Sequence, residues 1–390
     1  MRSNYKKLGE YIRPVDERNS DLAISNLLGV SITKEFIPSI ANIIGTDLST
    51  YKIVRRGQFA YGPVTSRNGD KVSIALLEGE DCIISSSYFP FEVYKPNELF
   101  PEYLKLWFIR PEFDRYARFM SNGSAREIFD WDCMCDVELP VPPIGEQRKI
   151  VRIYNVVTDR IKLLQKINRN LEEQLLAIFT DHFSNSIANI SNDSCPKLGD
   201  LVTVIDNRGK TPPLTTETFD YPIIDVGALK GMSRIVDFNN CTKYVDQLTY
   251  ETWFRSGHPK PWDIIISTEG SLAEMKVFLG NKGCMAQNVV AFRATGIAPL
   301  YLYQYLRFIR ADLVAYDIGS VQPSIKVTHI IKHPIFIPEQ KELNDFENVA
   351  KSFTNQIYAY SKEYETLVAL RDTLLPRLMS GKLDVSSLEI

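Results

Sequence analysis

Three charged residues in the second half of the chain have the types and spacing that can cleave phosphodiester bonds. Asp263 precedes a strongly apolar run, and Glu274 and Lys276 follow it in a Glu-x-Lys arrangement. On adjacent strands, such a set can hold a metal ion for hydrolysis. Alternatively, Asp263 caps the turn that enters the strand, and Glu274 and Lys276 are surface charges. The equivalent turn of the first half, residues 56–59, has no carboxylate. We therefore favour the second interpretation and keep a nuclease as an open alternative.

Other catalytic and metal-binding patterns are incomplete. Residues 209–211 (Gly-Lys-Thr) look like the end of a phosphate-binding loop. Its first glycine would be at position 204, which is valine, and two prolines follow the threonine. His329 and His333 are four residues apart, but their segment is β-like and runs into a proline. The six cysteines are scattered without the spacing of a zinc site. We therefore predict that this chain has no catalytic residue, no metal and no cofactor of its own.

The composition is that of a globular protein without a membrane segment. Apolar residues make up 44% and charged residues 24% of the chain, and no run of 18 apolar residues occurs. The polar N-terminus and the scattered cysteines lead us to expect a reducing, cytoplasmic location. The net charge of −3 does not favour a broad basic surface. Either the ligand is not nucleic acid, or the basic surface is local and a partner supplies the rest.

The chain contains an internal repeat. Residues 7–10 (Lys-Leu-Gly-Glu) return as residues 197–200 (Lys-Leu-Gly-Asp), and an aromatic segment led by proline at 101–107 returns at 299–305. A Gly-Ser pair follows this segment in both halves. Short β-branched runs precede it and predict strands, at residues 72–77, 82–85, 264–267 and 289–293.

Each half ends in a segment that predicts one long helix. Its apolar residues alternate at steps of four and three, which is the seam of a coiled coil, and Asn168 is the polar exception. Phe346 lies 196 residues after Ile150, and Leu374 lies 196 residues after Ile178. Each helix would have about 37 residues and a length of roughly 55 Å. We favour pairing of the two helices over the alternative of one ordinary core helix in each domain. The seam residues are Ile150, Tyr154, Val157, Ile161, Leu164, Leu171, Leu175 and Ile178, and Phe346, Ala350, Phe353, Ile357, Tyr360, Tyr364, Leu367, Leu374 and Leu378.

These patterns predict an α+β fold with two globular α/β domains and two long helices that pair as an antiparallel coiled coil. The internal repeat would have pseudo-twofold symmetry. The first domain would span residues 1–145 and the central helix residues 146–185. The second domain would span residues 195–337 and the C-terminal helix residues 338–382. Pro376 would end this last helix or loosen its final turn.

Several short sequence segments resemble those of the specificity subunit of type I restriction-modification systems. Residues 139–147 (Leu-Pro-Val-Pro-Pro-Ile-Gly-Glu-Gln) resemble the segment before that family's central helix. Residues 176–183 and 370–381 look like the ends of its two helices, and residues 208–212 (Arg-Gly-Lys-Thr-Pro) resemble a loop of its recognition domains. The first domain departs from this pattern, with Arg-Pro-Val-Asp at residues 13–16. Together with the repeat, the resemblance covers nearly the whole chain.

The resemblance implies a non-catalytic DNA-binding subunit with two target-recognition domains. Each domain would read one half of a split, asymmetric sequence. The helices would set the gap between the halves and dock methylation subunits, which we expect to number two. These subunits would carry S-adenosylmethionine, and separate restriction subunits would use ATP and magnesium to translocate and cut. Partners that clamp double-stranded DNA would also supply phosphate contacts that the charge of this chain does not.

Loop residues with base-reading chemistry are the candidate DNA contacts. Arginine suits the guanine edge and asparagine the adenine edge, and loops rich in glycine and proline would expose such side chains. The alternative for each residue is a solvated loop position. The candidates are Tyr61, Arg67, Asn68 and Lys71 in the first domain, and Arg208, Lys210, Thr211, Gln287, Asn288, Gln322 and Lys326 in the second.

Two further functions stay open. A coiled-coil scaffold with two protein-binding domains would have the same architecture without binding DNA. The recognition subunit of a related type II restriction-methylation enzyme would share the fold.

Overall fold

The structure, a computed structural model, describes residues 5–39, 45–66, 68–69, 71–123, 126–190, 195–280, 282–383 and 385. The chain divides into two compact units. The first consists of Met1–Arg160 and Leu367–Ile390, and the second of Ile161–Thr366. The first unit is therefore assembled from both ends of the chain. Because both divisions fall inside long helices, the predicted domain boundaries stay a prediction.

The first unit is built around a four-stranded antiparallel sheet in the order β2-β9-β6-β7. Short aromatic and β-branched runs form its strands, and helices α1 and α2 each begin with a proline, which suits the first helical turn. Their buried faces share one apolar core with the sheet. The strands are β1 Tyr5–Lys7, β2 Ile12–Pro14, β3 Leu28–Val30, β4 Phe36–Pro38, β5 Lys52–Val54, β6 Phe59–Tyr61, β7 Ile74–Leu76, β8 Cys82–Ile84, β9 Phe89–Val93 and β10 Glu138–Pro140; the helices are α1 Pro101–Phe108, α2 Pro111–Met120, α3 Trp131–Cys135 and the first part of α4 Ile144–Ala188.

The second unit repeats this plan with a four-stranded antiparallel sheet in the order β11-β17-β14-β15. A smaller mixed sheet, β13-β12-β16, adds one parallel pair, β12 with β16. The strands are β11 Val202–Ile205, β12 Tyr221–Ile224, β13 Tyr244–Val245, β14 Ile264–Ser267, β15 Met275–Val277, β16 Cys284–Met285 and β17 Val289–Ala294; the helices are α5 Val226–Leu229, α6 Gln247–Thr252, α7 Pro299–Phe308, α8 Arg310–Val314, α9 Val327–Ile330 and most of α10 Gln340–Met379.

The predicted strands and the internal repeat are confirmed at the level of backbone contacts. The amide of Leu8 donates to the carbonyl of Val137 at 2.8 Å, and the amide of Leu198 donates to the carbonyl of His333 at 3.0 Å. In both units the repeated Lys-Leu-Gly phrase is therefore held against the segment that leads into the long helix.

The two long helices pack with opposite ends together within each unit. In the first unit, Ile150 and Tyr154 near the start of α4 share a core with Leu378 near the end of α10. In the second unit, Phe179 near the end of α4 contacts Phe346 near the start of α10, with ring centroids 5.4 Å apart. Every predicted seam residue of both helices is buried or half-buried. The predicted antiparallel pairing is therefore confirmed.

The sequence predicted that Pro376 would end the C-terminal helix or loosen its final turn, but the helix does not end there. Helix α10 continues through the proline to Met379, and the amide of Ser380 donates to the carbonyl of Pro376 at 3.1 Å. The proline lacks the N–H group that would donate to the carbonyl of Asp372, but both residues are exposed, so water can bond to that carbonyl instead. The helix ends at Met379, and Gly381 follows in the turn with a positive φ of 66°, which suits a residue without a side chain.

Candidate functional site

Four loop segments meet at one edge of the main sheet of the second unit. They are residues 206–213 after β11, 268–271 after β14, 286–288 before β17, and the hairpin 317–325; we call this set the second loop edge. The strand register places them together, because Ser267 at the end of β14 pairs with Val289 at the start of β17. The amide of Thr268 donates to the carbonyl of Asn288 at 2.9 Å, and the amide of Ile325 donates to the carbonyl of Thr268 at 2.8 Å.

The structure brings most of the predicted second-domain residues together on this edge. Gln287 donates its side-chain amide to the hydroxyl of Thr211 at 2.9 Å, which joins two of the loops. The Oδ1 atom of Asn288 is buried and accepts no hydrogen bond from the described residues. Gln322 lies in the hairpin, and Lys326 is the first residue after the hairpin. The exposed candidates are Lys210, Thr211, Gln322 and Lys326.

Arg208 is held in a fixed orientation on the second loop edge. Its Nε and Nη2 atoms donate to the two carboxylate oxygens of Asp206 at 2.9 and 2.7 Å. Burial raises the pKa of Asp206, but the hydrogen bonds from Arg208 outweigh it and hold that pKa below its ordinary value. The same hydrogen bonds raise the pKa of Arg208. An arginine in such a bidentate pair presents its planar group in one direction, as base or phosphate recognition requires.

The hairpin of the second loop edge has a tightly determined backbone. One carboxylate oxygen of Asp317 accepts from the amides of Gly319 and Ser324 at 2.8 and 2.9 Å. These backbone hydrogen bonds lower the pKa of Asp317. The tip presents Val321 with 99% of its surface exposed. The loop therefore holds an exposed apolar side chain on a rigid frame.

The first unit has the corresponding first loop edge, formed by residues 62–66, 68–69 and 71–73 after β6 and by a hairpin of which residues 122–123 and 126–128 are described. The amide of Thr65 donates to the carbonyl of Glu127 at 2.9 Å and joins the two segments. Of the predicted residues, Asn68 is half-buried and Lys71 is exposed on this edge. Arg67 lies outside the described residues.

The sequence analysis predicted that Tyr61 lies on a loop. In the structure it is the last residue of strand β6. Its side chain is 1% exposed and packs against Phe91 and Phe129, with ring centroids 6.1 and 6.3 Å away. Burial raises the pKa of its hydroxyl well above the ordinary value. The side chain thus belongs to the core that supports the first loop edge.

The two carboxylates of the possible nuclease set, Asp263 and Glu274, each form an ion pair with a different arginine. Asp263 accepts from Arg293 at 2.6 and 3.0 Å and caps the turn before β14 by accepting from the amide of Lys260 at 2.7 Å. Glu274 pairs with Arg310 at 2.7 Å. Because each carboxylate has its own arginine, the arrangement supports the structural interpretation of Asp263 and Glu274.

Lys276 differs from that interpretation, because it is 1% exposed and not a surface charge. Its ammonium group donates to the carbonyl of Gly231 at 2.7 Å and to that of Ser233. Burial lowers the pKa of Lys276 to about 8. The lysine therefore anchors the segment after α5 to strand β15.

The remaining metal-binding candidates have ordinary structural partners. The ring Nδ1 of His333 lies 2.9 Å from the hydroxyl of Tyr316, and burial lowers the pKa of this histidine. All six cysteines are free thiols. Within the described ranges, no three His, Cys, Asp or Glu side chains form a group that could hold a metal ion.

Sequence reasoning missed two hairpin residues, Arg126 and Val321, which are both exposed. The signal that could have found them was the repeated Gly-Ser pair, which marks the start of both hairpins. It also missed the buried Glu172, because its main partner, Arg234, is distant in sequence.

Comparison with known proteins supports the resemblance found in the sequence. Residues 41–173 match the model described as the type I restriction modification DNA specificity domain. The specificity subunit of type I restriction enzyme MjaIX from Methanocaldococcus jannaschii is 24% identical over 315 residues, which cover 74% of this chain and 70% of that protein. The resemblance to the specificity subunits of type I restriction-modification systems, stated from the sequence, is therefore confirmed. The HindI specificity subunit of Haemophilus influenzae is 23% identical over 184 residues, which are 45% of this chain and 39% of that subunit.

A solved specificity subunit has the same fold. The S subunit of the type I restriction-modification system from M. genitalium aligns with a TM-score of 0.60 and 14% identity, over 98% of this chain and 96% of that one. The predicted mixed fold with two long helices is therefore confirmed. The match to the family model includes the first loop edge, and the internal repeat relates the second loop edge to it. No helix in the described part of the chain has the length and apolar character needed to span a bilayer.

Proposed function

We propose that this specificity subunit reads a bipartite, asymmetric DNA target, with one half recognised by each globular domain. The observation that supports this best is that the two loop edges share a backbone plan and differ in side chains. Thr65 donates its amide to the carbonyl of Glu127 at 2.9 Å, and Gly270 donates its amide to that of Pro323 at 3.0 Å. Equivalent frames with different side chains suit two related domains that read different sequences.

The long helices would set the spacing between the two half-sites and dock two methylation subunits. Their seams are occupied by each other, whereas other faces expose apolar residues that a partner could cover. Val156 and Leu163 on α4 are 62% and 46% exposed, and Leu370 on α10 is 45% exposed. Apolar side chains on the outside of a paired helix are candidates for such an interface.

The subunit would act without chemistry of its own. Methylation subunits would carry S-adenosylmethionine, and restriction subunits would use ATP and magnesium. The net charge of −3 fits this division of labour, because clamping partners can neutralise most of the phosphates while this chain provides the base contacts.

Mapping methylated adenines in DNA from cells with and without this chain tests the proposal. The expected result is a two-part motif that is methylated when the chain is present and unmethylated when it is absent. Selection from random duplexes by the chain bound to its methylation subunits should enrich the same motif. If neither experiment yields a motif, the scaffold alternative replaces DNA reading. Magnesium-dependent cleavage by the purified chain, lost in Glu274→Ala, would instead indicate a nuclease.

A further inference from the structure

The two hairpins are closed by equivalent backbone hydrogen bonds; their described residues are 122–123 and 126–128 in the first and 317–325 in the second. The amide of Asn122 donates to the carbonyl of Ile128 at 3.1 Å, and the amide of Ile318 donates to that of Ser324 at 3.0 Å. Both members of the second pair lie 196 residues after their counterparts. The same offset relates Arg126 to Gln322.

Each hairpin contains a glycine that determines the position of its residue in this pair, Arg126 or Gln322. A Cβ atom on Gly123 would lie 2.1 Å from the carbonyl oxygen of Arg126, and one on Gly319 would lie 1.9 Å from that of Gln322. No side chain fits such an approach, so glycine allows the backbone of residue 126 or 322 to fold directly over it. In both hairpins the carbonyl of the residue at this position therefore lies directly over the glycine.

The side chains at this common position differ in the way that base recognition would require. Arg126 and Gln322 are both exposed. Arginine donates two hydrogen bonds to the major-groove edge of guanine, and glutamine both donates to and accepts from that of adenine. The closing hydrogen bond and the glycine contact are shared by the two hairpins, whereas the side chain at this position differs.

We propose that residues 126 and 322 are equivalent base-reading positions, with Arg126 reading a guanine in one half-site and Gln322 an adenine in the other. This inference rests on the proposed function and assigns one position of each half-site to a named residue. Alternatively, the hairpins contact only the phosphate backbone, which would make Arg126 a contributor to affinity without sequence preference.

Exchanging the two side chains tests the assignment. Arg126→Gln and Gln322→Arg are each assembled with the methylation subunits and used to select from random duplexes. Arg115→Gln is the matched control, because Arg115 is an exposed arginine on α2 with a side chain 70% exposed. Arg126→Gln should change one G·C pair to A·T in one half-site and leave the other half-site unchanged. Gln322→Arg should make the opposite change in the other half-site, and Arg115→Gln should change neither.

The expected change in base preference has a definite size. Each exchange should shift the preference between the two bases by roughly 5- to 150-fold, the range for one bidentate contact. Unchanged motifs with both variants, or a uniform loss of affinity with Arg126→Gln together with an unchanged motif for Gln322→Arg, would overturn the assignment. Failure of the unmodified complex to enrich any two-part motif would instead count against the proposed function itself. Circular dichroism of the variants should match that of the unmodified chain, because both hairpin glycines are retained.

Discussion

Glu172 on helix α4 and Arg234 in the second domain form a buried ion pair, with an N–O distance of 2.9 Å and side chains 2% and 0% exposed. A second arginine, Arg307 on α7, contacts the same carboxylate at 2.8 Å. Arg234 also donates to the hydroxyl of Thr354 on α10 at 3.1 Å. One carboxylate on the first long helix thus connects α7 with the segment after α5, and Arg234 extends the network to the second long helix. This network fixes the second domain on its helices.

Replacing Glu172 with alanine should strongly destabilise the second unit. The change leaves two buried guanidinium groups without their carboxylate, and breaking a buried pair in this way costs about 3–5 kcal/mol. Native-state hydrogen exchange of amides in the second unit measures the loss. Glu173→Ala is the control, because Glu173 is 59% exposed and lies 3.9 Å from Arg169, and it should cost at most about 1 kcal/mol. Equal effects of the two substitutions would contradict a special role of Glu172.

The buried Lys276 should make the stability of the second unit depend on pH. Its pKa in the folded protein is about 8, below the ordinary value of 10.5. Between these values the unfolded chain binds a proton that the folded protein does not, so the free energy of unfolding rises with pH. Below pH 8 both states are protonated, and the cost of burying the charge is present in full. The difference in unfolding free energy between the unmodified chain and Lys276→Met should therefore shift in favour of the unmodified chain from pH 8 to 10.

Lys230→Met is the control for this measurement, because Lys230 is exposed near the same segment. Its difference from the unmodified chain should stay constant over the same pH range. A flat difference for Lys276→Met would show that its pKa is not lowered.

The polar position in the helix seam should limit stability. Asn168 donates to the hydroxyl of Ser361 at 3.4 Å, while its Oδ1 atom is buried and accepts no hydrogen bond from the described residues. Asn168→Leu removes this unsatisfied acceptor and should raise the free energy of unfolding by about 1 kcal/mol. The measurement is urea unfolding followed by hydrogen exchange of α4 and α10 amides. Asn185→Leu, at an exposed position on α4, should have no such effect, and a loss of stability in Asn168→Leu would contradict this interpretation.

Two lysines at the second loop edge should contribute to DNA affinity without contributing to sequence preference. Lys210 and Lys326 are exposed there, and a lysine acts on phosphate as a point charge. Lys210→Ala and Lys326→Ala should weaken binding to target and random duplexes alike. Each should lower the slope of log affinity against log salt by about 0.9 for each phosphate that the lysine neutralises. Lys332→Ala is the control, because Lys332 is exposed but follows α9 near the opposite end of β11.

The helices were largely predictable because their signal is long and periodic. Residues as far apart as Ile150 and Ile178 follow one seam, and the second helix repeats it. The seam does not show which polar residue is buried beside it. Glu172 follows the seam residue Leu171, and only the fold reveals that Arg234 and Arg307 surround it.

The loop edges were predicted less completely, because strands of three residues carry almost no periodicity. Tyr61 adjoins the turn residues Gly62 and Pro63, so the sequence placed it in the loop, whereas the strand ends after it. The candidates Gln287 and Thr211 are far apart in sequence, and their contact depends on the pairing of the strands that carry them. Such non-local pairing is not encoded in any single segment.

The first unit contains both ends of the chain, and this has a consequence for biosynthesis. The segments of the second unit leave the ribosome as one continuous stretch, whereas the core of the first unit joins Ile150 and Tyr154 to the later residues Leu375 and Leu378. The nascent protein can therefore complete the unit that it began second before the unit that it began first. Until the last segment emerges, an apolar helix face of the first unit stays uncovered and is the part of the newborn chain most open to aggregation or chaperone binding.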